Sequence, residues 1–115
     1  KVVESAILME QGIAISACPP DSGYSPLIAA QAADELISIK GIQASFVLAE
    51  REGAISISGR SLGEINVQLI LEKLGGGGHL AVAGAQLKGA TMDAAVNRLT
   101  QAVHEYLQES GMGQP

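Results

Sequence analysis

Four consecutive glycines, Gly75 to Gly78, constrain the fold more than any other feature of this sequence. They follow a segment with helical spacing and precede the short apolar segment AVAGAQL, so the helix has to end where they begin. Glycine adopts positive φ angles and, because it has no Cβ, lets another group approach its N–H closely. Flexible linkers are usually longer and mixed with serine, so we interpret the run as a functional turn.

Composition narrows the class of domain and the kind of ligand. At 115 residues, the chain has the length of one domain. Hydrophobic residues make up 47% but aromatic residues only 3%, so Ala, Val, Ile and Leu must build the core. A net charge of −5 argues against coating nucleic acid through bulk charge, and leaves room for one small anion at a local basic spot.

Cysteine content and hydropathy bear on the compartment. The single cysteine, Cys18, excludes an internal disulfide and a cysteine-rich zinc site, and favours a reducing compartment. No apolar run approaches the roughly 18 residues of a spanning helix, so we expect this domain to make no membrane contact. Because the chain starts at Lys1 without an initiator methionine, we expect it to be a piece of a longer protein.

The first third of the chain predicts a hairpin and a helix. Apolar runs over 6–10 and 13–17 predict two strands, although VVESAILME also fits a helix, and CPPDSGYSP predicts a loop. Ser25 before Pro26 predicts a capped helix through LIAAQAADELISI, which ends at Gly41. The residues expected to recur at helical spacing along this helix are Leu27, Ala30, Ala33 or Asp34, and Ile37, with the residues around them.

The middle of the chain predicts a strand pair with one half-buried face. IQASFVLAE and AISISGRS surround the turn REG, and their apolar residues alternate with others. The residues expected to share a face of the first strand are Ile42, Ala44, Phe46 and Leu48.

The last third predicts two helices and a strand. Asn66 can cap a helix over Val67–Leu74, and AVAGAQL predicts a buried strand. Thr91 can cap a final helix from Met92 to about Glu109. The expected apolar stripe of that helix is Ala95, Leu99, Ala102, Val103, Tyr106 and Leu107.

The predicted element order, β-β-α-β-β-α-β-α, indicates an α/β fold in a single domain. We expect a mixed β-sheet of about five strands with about three helices packed on it. Residues 1–109 are predicted to form the domain, and residues 110–115 a frayed tail.

Two features indicate an anion site. The N–H groups of the glycine run can surround an anion, and His79 directly after it can donate to a phosphate oxygen. Gly76→Val should damage such a site through lost backbone approach. Arg60 lies between a predicted strand and a predicted helix, where α/β sheets bind ligands, and a guanidinium suits bidentate contact with phosphate.

Other candidate residues favour ordinary structural roles. His104, Asp34 and Glu35 are predicted on solvated helix faces, and Cys18 is predicted to be a small core residue. No His, Asp and Glu residues cluster at metal-ligand spacing, so the sequence predicts neither a metal site nor a catalytic group in this chain.

The segments SISGRSLGEINVQLILEKL and GGGGHLAVAGAQL together resemble the C-terminal, DHH-associated subdomain of the DHH phosphoesterases. Within that superfamily the chain is most similar to cyclic-di-AMP phosphodiesterases of the GdpP type. The resemblance implies these substrate-binding residues: Ser58, Arg60, Ser61, Asn66, Gly75, Gly76, Gly77, Gly78 and His79.

The resemblance implies an enzyme with two lobes. An N-terminal DHH lobe, expected to be absent from this chain, binds two manganese ions and activates water. The lobe seen here binds a cyclic dinucleotide, or the phosphate of a short oligonucleotide, against that DHH lobe, and cleavage yields pApA. The implied parent is a bacterial signalling protein anchored in the plasma membrane, with this domain in the cytoplasm. We expect the isolated chain to be inactive.

The segment after His79 leaves alternatives open. GdpP-type proteins tend to have Thr-Asn and then Ala-Ala-Thr there, whereas this chain has Leu80-Ala81-Val82 and then Ala83-Gly84-Ala85. Short-oligonucleotide phosphatases of the superfamily often have Ala-Ala-Gly, so an oligoribonuclease or nucleotide phosphatase is the alternative enzyme. A nucleic-acid-binding or homodimerisation module without catalysis is the alternative of another class, although an acidic chain without an aromatic platform argues against nucleic acid.

Overall fold

The chain forms one mixed sheet with helices on both faces, in a computed structural model that describes residues 7–9, 12–18 and 26–111. The elements are β1 (Ile7–Met9), β2 (Ile13–Ala17), α1 (Pro26–Ile37), β3 (Ala44–Arg51), β4 (Ala54–Ser61), α2 (Val67–Glu72), β5 (Gly77–Gly78), β6 (Val82–Lys88) and α3 (Met92–Ser110). The predicted cap Ser25 and residues 112–115 of the predicted tail lie outside the described residues.

The strand order across the sheet is β1-β2-β3-β4-β6-β5. Strands β2 and β3 are parallel, and α1 provides the crossover between them, while the other neighbouring pairs are antiparallel. The predicted α/β domain with a mixed sheet and three helices is confirmed. The structure adds one strand of two residues, β5, inside the glycine run, and this strand forms an edge of the sheet.

Strand β3 is buried on both faces, so the half-buried face predicted for the strand pair is wrong for β3. In β4 the prediction is confirmed, since Ile55 and Ile57 are buried and Ser56 and Ser58 are partly exposed. Ala44, Phe46 and Leu48 pack with α2 and α3, whereas Val47 and Ala49 pack with α1 on the opposite face. Ile42 belongs to the α1 side rather than to the predicted stripe. A central strand between two helical layers needs apolar or hydrogen-bonded residues on both faces, because neither face meets water.

The helices differ in how well their buried faces were predicted. In α3 the buried residues are the six predicted ones, and Thr91 caps the helix by accepting from the Ala94 N–H at 3.1 Å. In α1 the predicted stripe is only partly correct: Ala33 is buried and Ile37 packs against the same core cluster, whereas Leu27 is 68% exposed. Small residues dominate the true buried face of α1, which consists of Ala29, Ala32, Ala33 and Leu36.

Candidate functional site

The glycine run begins as the end of α2. Gly75, with φ 86°, donates its N–H to Glu72 O at 3.1 Å, and Gly76 donates to Leu71 O at 2.8 Å. These two bonds form the Schellman pattern, which needs a left-handed residue such as glycine after the last helical turn. The first half of the run therefore turns the chain from α2 into the sheet edge.

The four glycines differ in whether the fold has room for a side chain at their positions. A Cβ on Gly76 would lie 2.6 Å from Ala85 Cβ, and one on Gly78 would lie 2.6 Å from Ala83 Cα, so both glycines pack tightly on β6. Gly77 has no atom within 4 Å of its ideal Cβ position. A Cβ on its cross-strand partner Gly84 would contact only the carbonyl oxygen of Ile57, at 3.4 Å. Neither Gly77 nor Gly84 has a φ that requires glycine, so nothing within the fold explains this pair.

The N–H groups of the run do not form the predicted open anion nest. Those of Gly75 and Gly76 bond to α2, and that of His79 donates to Val82 O at 2.7 Å. Bonded pairs alternate along an antiparallel ladder, so the Gly78 N–H points away from β6 toward the edge of the sheet. The backbone thus offers an anion one N–H at this edge, beside the exposed His79.

Arg60 lies inside β4, one residue before its end. The predicted strand segment AISISGRS has the bounds of β4, whereas the placement of Arg60 beyond the strand is wrong. Its Nε donates to Asp34 Oδ1 of α1 at 2.7 Å, and its Nη1 donates to Gly59 O at 2.9 Å. The arginine side chain is 17% exposed and that of Asp34 is 63% exposed. The guanidinium is therefore held at the surface beside α1, with three of its five N–H groups left for a ligand.

The sheet register brings the candidate residues together in rows. Arg60 is opposite Val82, whose carbonyl accepts from His79, and Ser58 is opposite Gly84, which in turn is opposite Gly77. Residues in one row project to the same face, and neighbouring strands are about 4.8 Å apart. We call this surface beside α1 the open face; it consists of Ser58, Arg60, Gly77, Val82 and Gly84, with Gly78 and His79 at its edge.

Three predicted site residues have structural roles away from the open face. The Ser61 Oγ accepts a hydrogen bond from the Gly63 N–H at 2.9 Å. Because side chains alternate along a strand, Ser61 projects to the face of the sheet that Arg60 does not share. The Asn66 Oδ1 accepts from the Leu69 N–H at 3.1 Å as the cap of α2. Gly75 forms the helix end described above. Substrate contact by these residues stays a prediction.

Sequence reasoning missed two residues of the site. Asp34 lies on a solvated helix face as predicted, with 63% of its side chain exposed, but nothing local indicates its partner Arg60, which is 26 positions away. Gly84 could have been predicted from the sequence, because a glycine inside a strand often marks a place where another group approaches the backbone closely.

Cysteine and metal chemistry find no support among the residues that the structure describes. Burial raises the pKa of the Cys18 thiol, which is 2% exposed, so the reactive thiolate is disfavoured. No group of three His, Cys, Asp or Glu side chains in this part of the chain could hold a metal ion. The two manganese ions implied by the resemblance are expected in the DHH lobe, not among these residues. No helix within the described ranges is both long and apolar enough to cross a membrane.

The model of the DHHA1 domain family matches residues 10–109. The chain belongs to the DHHA1 domain family. This confirms the DHH-associated assignment made from the motifs around Arg60 and the glycine run.

Curated relatives of this DHHA1 domain include two named cyclic-di-AMP phosphodiesterases. The chain is 49% identical over 107 residues to PdeA of Listeria monocytogenes, covering 92% of the chain and 16% of the relative. It is 44% identical over 109 residues to GdpP of Geobacillus thermodenitrificans, covering 94% and 17%. The chain thus spans about one sixth of the length of these relatives.

A third relative and a solved structure broaden the comparison. The bifunctional oligoribonuclease and PAP phosphatase NrnA of Thermus thermophilus is 44% identical over 73 residues, which cover 64% of this chain and 22% of the relative. An exopolyphosphatase-related protein from Bacteroides fragilis superposes with a TM-score of 0.78 and 27% identity, over 91% of this chain and 32% of that chain.

Proposed function

We propose that this DHHA1 domain is the substrate-binding lobe of a metal-dependent phosphodiesterase that hydrolyses cyclic-di-AMP to pApA. One observation carries the proposal: Arg60 is fixed at the rim of an open face whose floor includes two glycines that the fold itself does not require. The names of two relatives that match over most of the chain supply the substrate class.

Arg60 provides the main phosphate contact. Its three remaining N–H groups can bond to phosphate oxygens, and such charge-assisted bonds are about twice as strong as neutral ones. With a net charge of −5 on the whole chain, a local guanidinium rather than the overall field must attract the anion.

Gly77 and Gly84 allow the nucleotide to approach the sheet closely. Without Cβ atoms on this cross-strand pair, the backbone itself forms the floor of the open face beside Ser58. A base or sugar can then lie against peptide groups, and the Ser58 hydroxyl can donate or accept one hydrogen bond.

Gly78 and His79 complete the phosphate site at the edge. The Gly78 N–H points outward from β5, and the His79 imidazole makes no hydrogen bond to any described residue. Both groups can therefore donate to a phosphate oxygen once the substrate is seated against Arg60.

The bond-breaking step belongs to the other lobe in this proposal. The described residues hold no metal-ligand group, so two manganese ions and the attacking water would be supplied by a DHH lobe in the parent chain. We further propose that the parent is anchored in the bacterial plasma membrane and carries this domain in the cytoplasm.

Oligonucleotide or nucleotide phosphate cleavage is the second candidate function. The identity to NrnA, and the Ala83-Gly84 pattern in place of Ala-Thr, favour it. Turnover of cyclic-di-AMP and of pApA by the full-length protein separates the two, since a greater kcat/KM for pApA would favour the alternative.

Arg60→Ala in the full-length protein tests the proposal. Loss of two or three charge-assisted bonds should raise KM for cyclic-di-AMP about 10- to 100-fold, with the fold retained. The matched control is Arg98→Ala, which removes an exposed guanidinium from α3, on the other side of the sheet. Equal kinetics for Arg60→Ala and wild type would overturn the proposed phosphate site.

A further inference from the structure

The ion pair between Asp34 and Arg60 connects α1 to the open face. The Nε–Oδ1 distance of 2.7 Å is that of a short charge-assisted hydrogen bond. No other acidic side chain in the described part of the chain forms an ion pair with Arg60. The Asp34 carboxylate therefore lies beside any ligand that binds to the Arg60 guanidinium.

Two bonds determine how the guanidinium is presented. The Nε bond to Asp34 and the Nη1 bond to Gly59 O hold the same planar group at two of its three nitrogens. A free arginine side chain loses rotamer entropy when a ligand immobilises it. Asp34 reduces this cost, because the side chain is already held before the ligand arrives.

The same carboxylate also opposes excess negative charge. It offsets the charge of Arg60, and it repels a bound phosphate in proportion to the charge that the phosphate carries. A phosphodiester carries one negative charge, whereas a terminal phosphomonoester carries about 1.5 to 2 at neutral pH. Because Asp34 is 63% exposed, solvent screens the repulsion, and the resulting preference is a few-fold.

We propose that Asp34 is a positioning and specificity residue for Arg60, which favours phosphodiester-linked nucleotides over nucleotides with a terminal phosphate. The inference rests on the proposed binding of nucleotide phosphate at Arg60. In this proposal α1 does more than cover the sheet, because its residue Asp34 helps to distinguish the cyclic substrate from the linear product.

Two substitutions of Asp34 separate charge from position. Asp34→Asn retains an oxygen that can accept from Arg60 Nε and removes the charge, while Asp34→Ala removes both. In the full-length protein, binding constants are measured for cyclic-di-AMP and for pApA. Asp34→Asn should tighten pApA binding about 3- to 10-fold relative to cyclic-di-AMP, and Asp34→Ala should weaken binding of cyclic-di-AMP.

Glu35→Gln is the matched control, because it removes one negative charge from the neighbouring exposed position of α1. The shift in preference should be absent from this variant, and in Asp34→Asn it should diminish at high salt. An unchanged preference in Asp34→Asn, or an equal shift in Glu35→Gln, overturns the inference while Arg60→Ala still weakens binding. If Arg60→Ala binds both nucleotides normally, the proposed function fails instead.

Discussion

Gly76 and Gly77 are neighbours with opposite structural demands. The absent Cβ of Gly76 makes room for Ala85 of β6, whereas that of Gly77 would point into open space. Damage from Gly76→Val is therefore expected from a cause within the fold: the larger side chain would clash with β6 and separate the glycine run from it.

Alanine at the two positions should separate folding from binding. We expect Gly76→Ala to lower the free energy of unfolding by about 1–3 kcal/mol through overpacking, and Gly77→Ala to change it by less than about 0.5 kcal/mol. Urea unfolding measures both. Gly77→Ala should instead weaken cyclic-di-AMP binding several-fold in the full-length protein. Native affinity in Gly77→Ala would contradict close approach of the nucleotide at the open face.

At the scale of elements, α2 is a short helix held by its ends. It has six residues, too few to be stable alone, and Asn66 at its start both caps it and donates its N–H to Tyr106 Oη of α3 at 2.9 Å. The position of the glycine run depends on this helix, because the run continues directly from its last turn.

Loss of the cap should destabilise the domain measurably. We expect Asn66→Ala to lower the free energy of unfolding by about 1 kcal/mol and Asn66→Ser, which keeps a capping oxygen, to have little effect. Thermal or urea unfolding compares the two. If both variants instead keep full stability and lose nucleotide affinity, Asn66 contacts the substrate directly, as the family resemblance implies.

For the whole molecule, the absence of a metal-ligand group among the described residues bears on activity. The purified 115-residue chain should show no manganese-dependent hydrolysis of cyclic-di-AMP, because it would bind the nucleotide without activating water. A longer chain that includes the proposed DHH lobe, assayed alongside, is the positive control. Hydrolysis by the isolated chain that disappears in Arg60→Ala would contradict this division of labour between lobes.

The sequence by itself determined the order of every element except β5, the caps at Asn66 and Thr91, and the buried stripe of α3. These depend on residues within one or two turns of each other, where spacing and side-chain chemistry act directly. The motifs around Arg60 and the glycine run also determined the family, which the match over residues 10–109 confirmed.

Only the tertiary structure decided which residues share the open face. Sheet register sets Gly77 beside Gly84 and His79 beside the row of Arg60, and helix packing sets Asp34 against the guanidinium. The same packing buries both faces of β3. Such pairings depend on which elements become neighbours, a property that local periodicity does not encode.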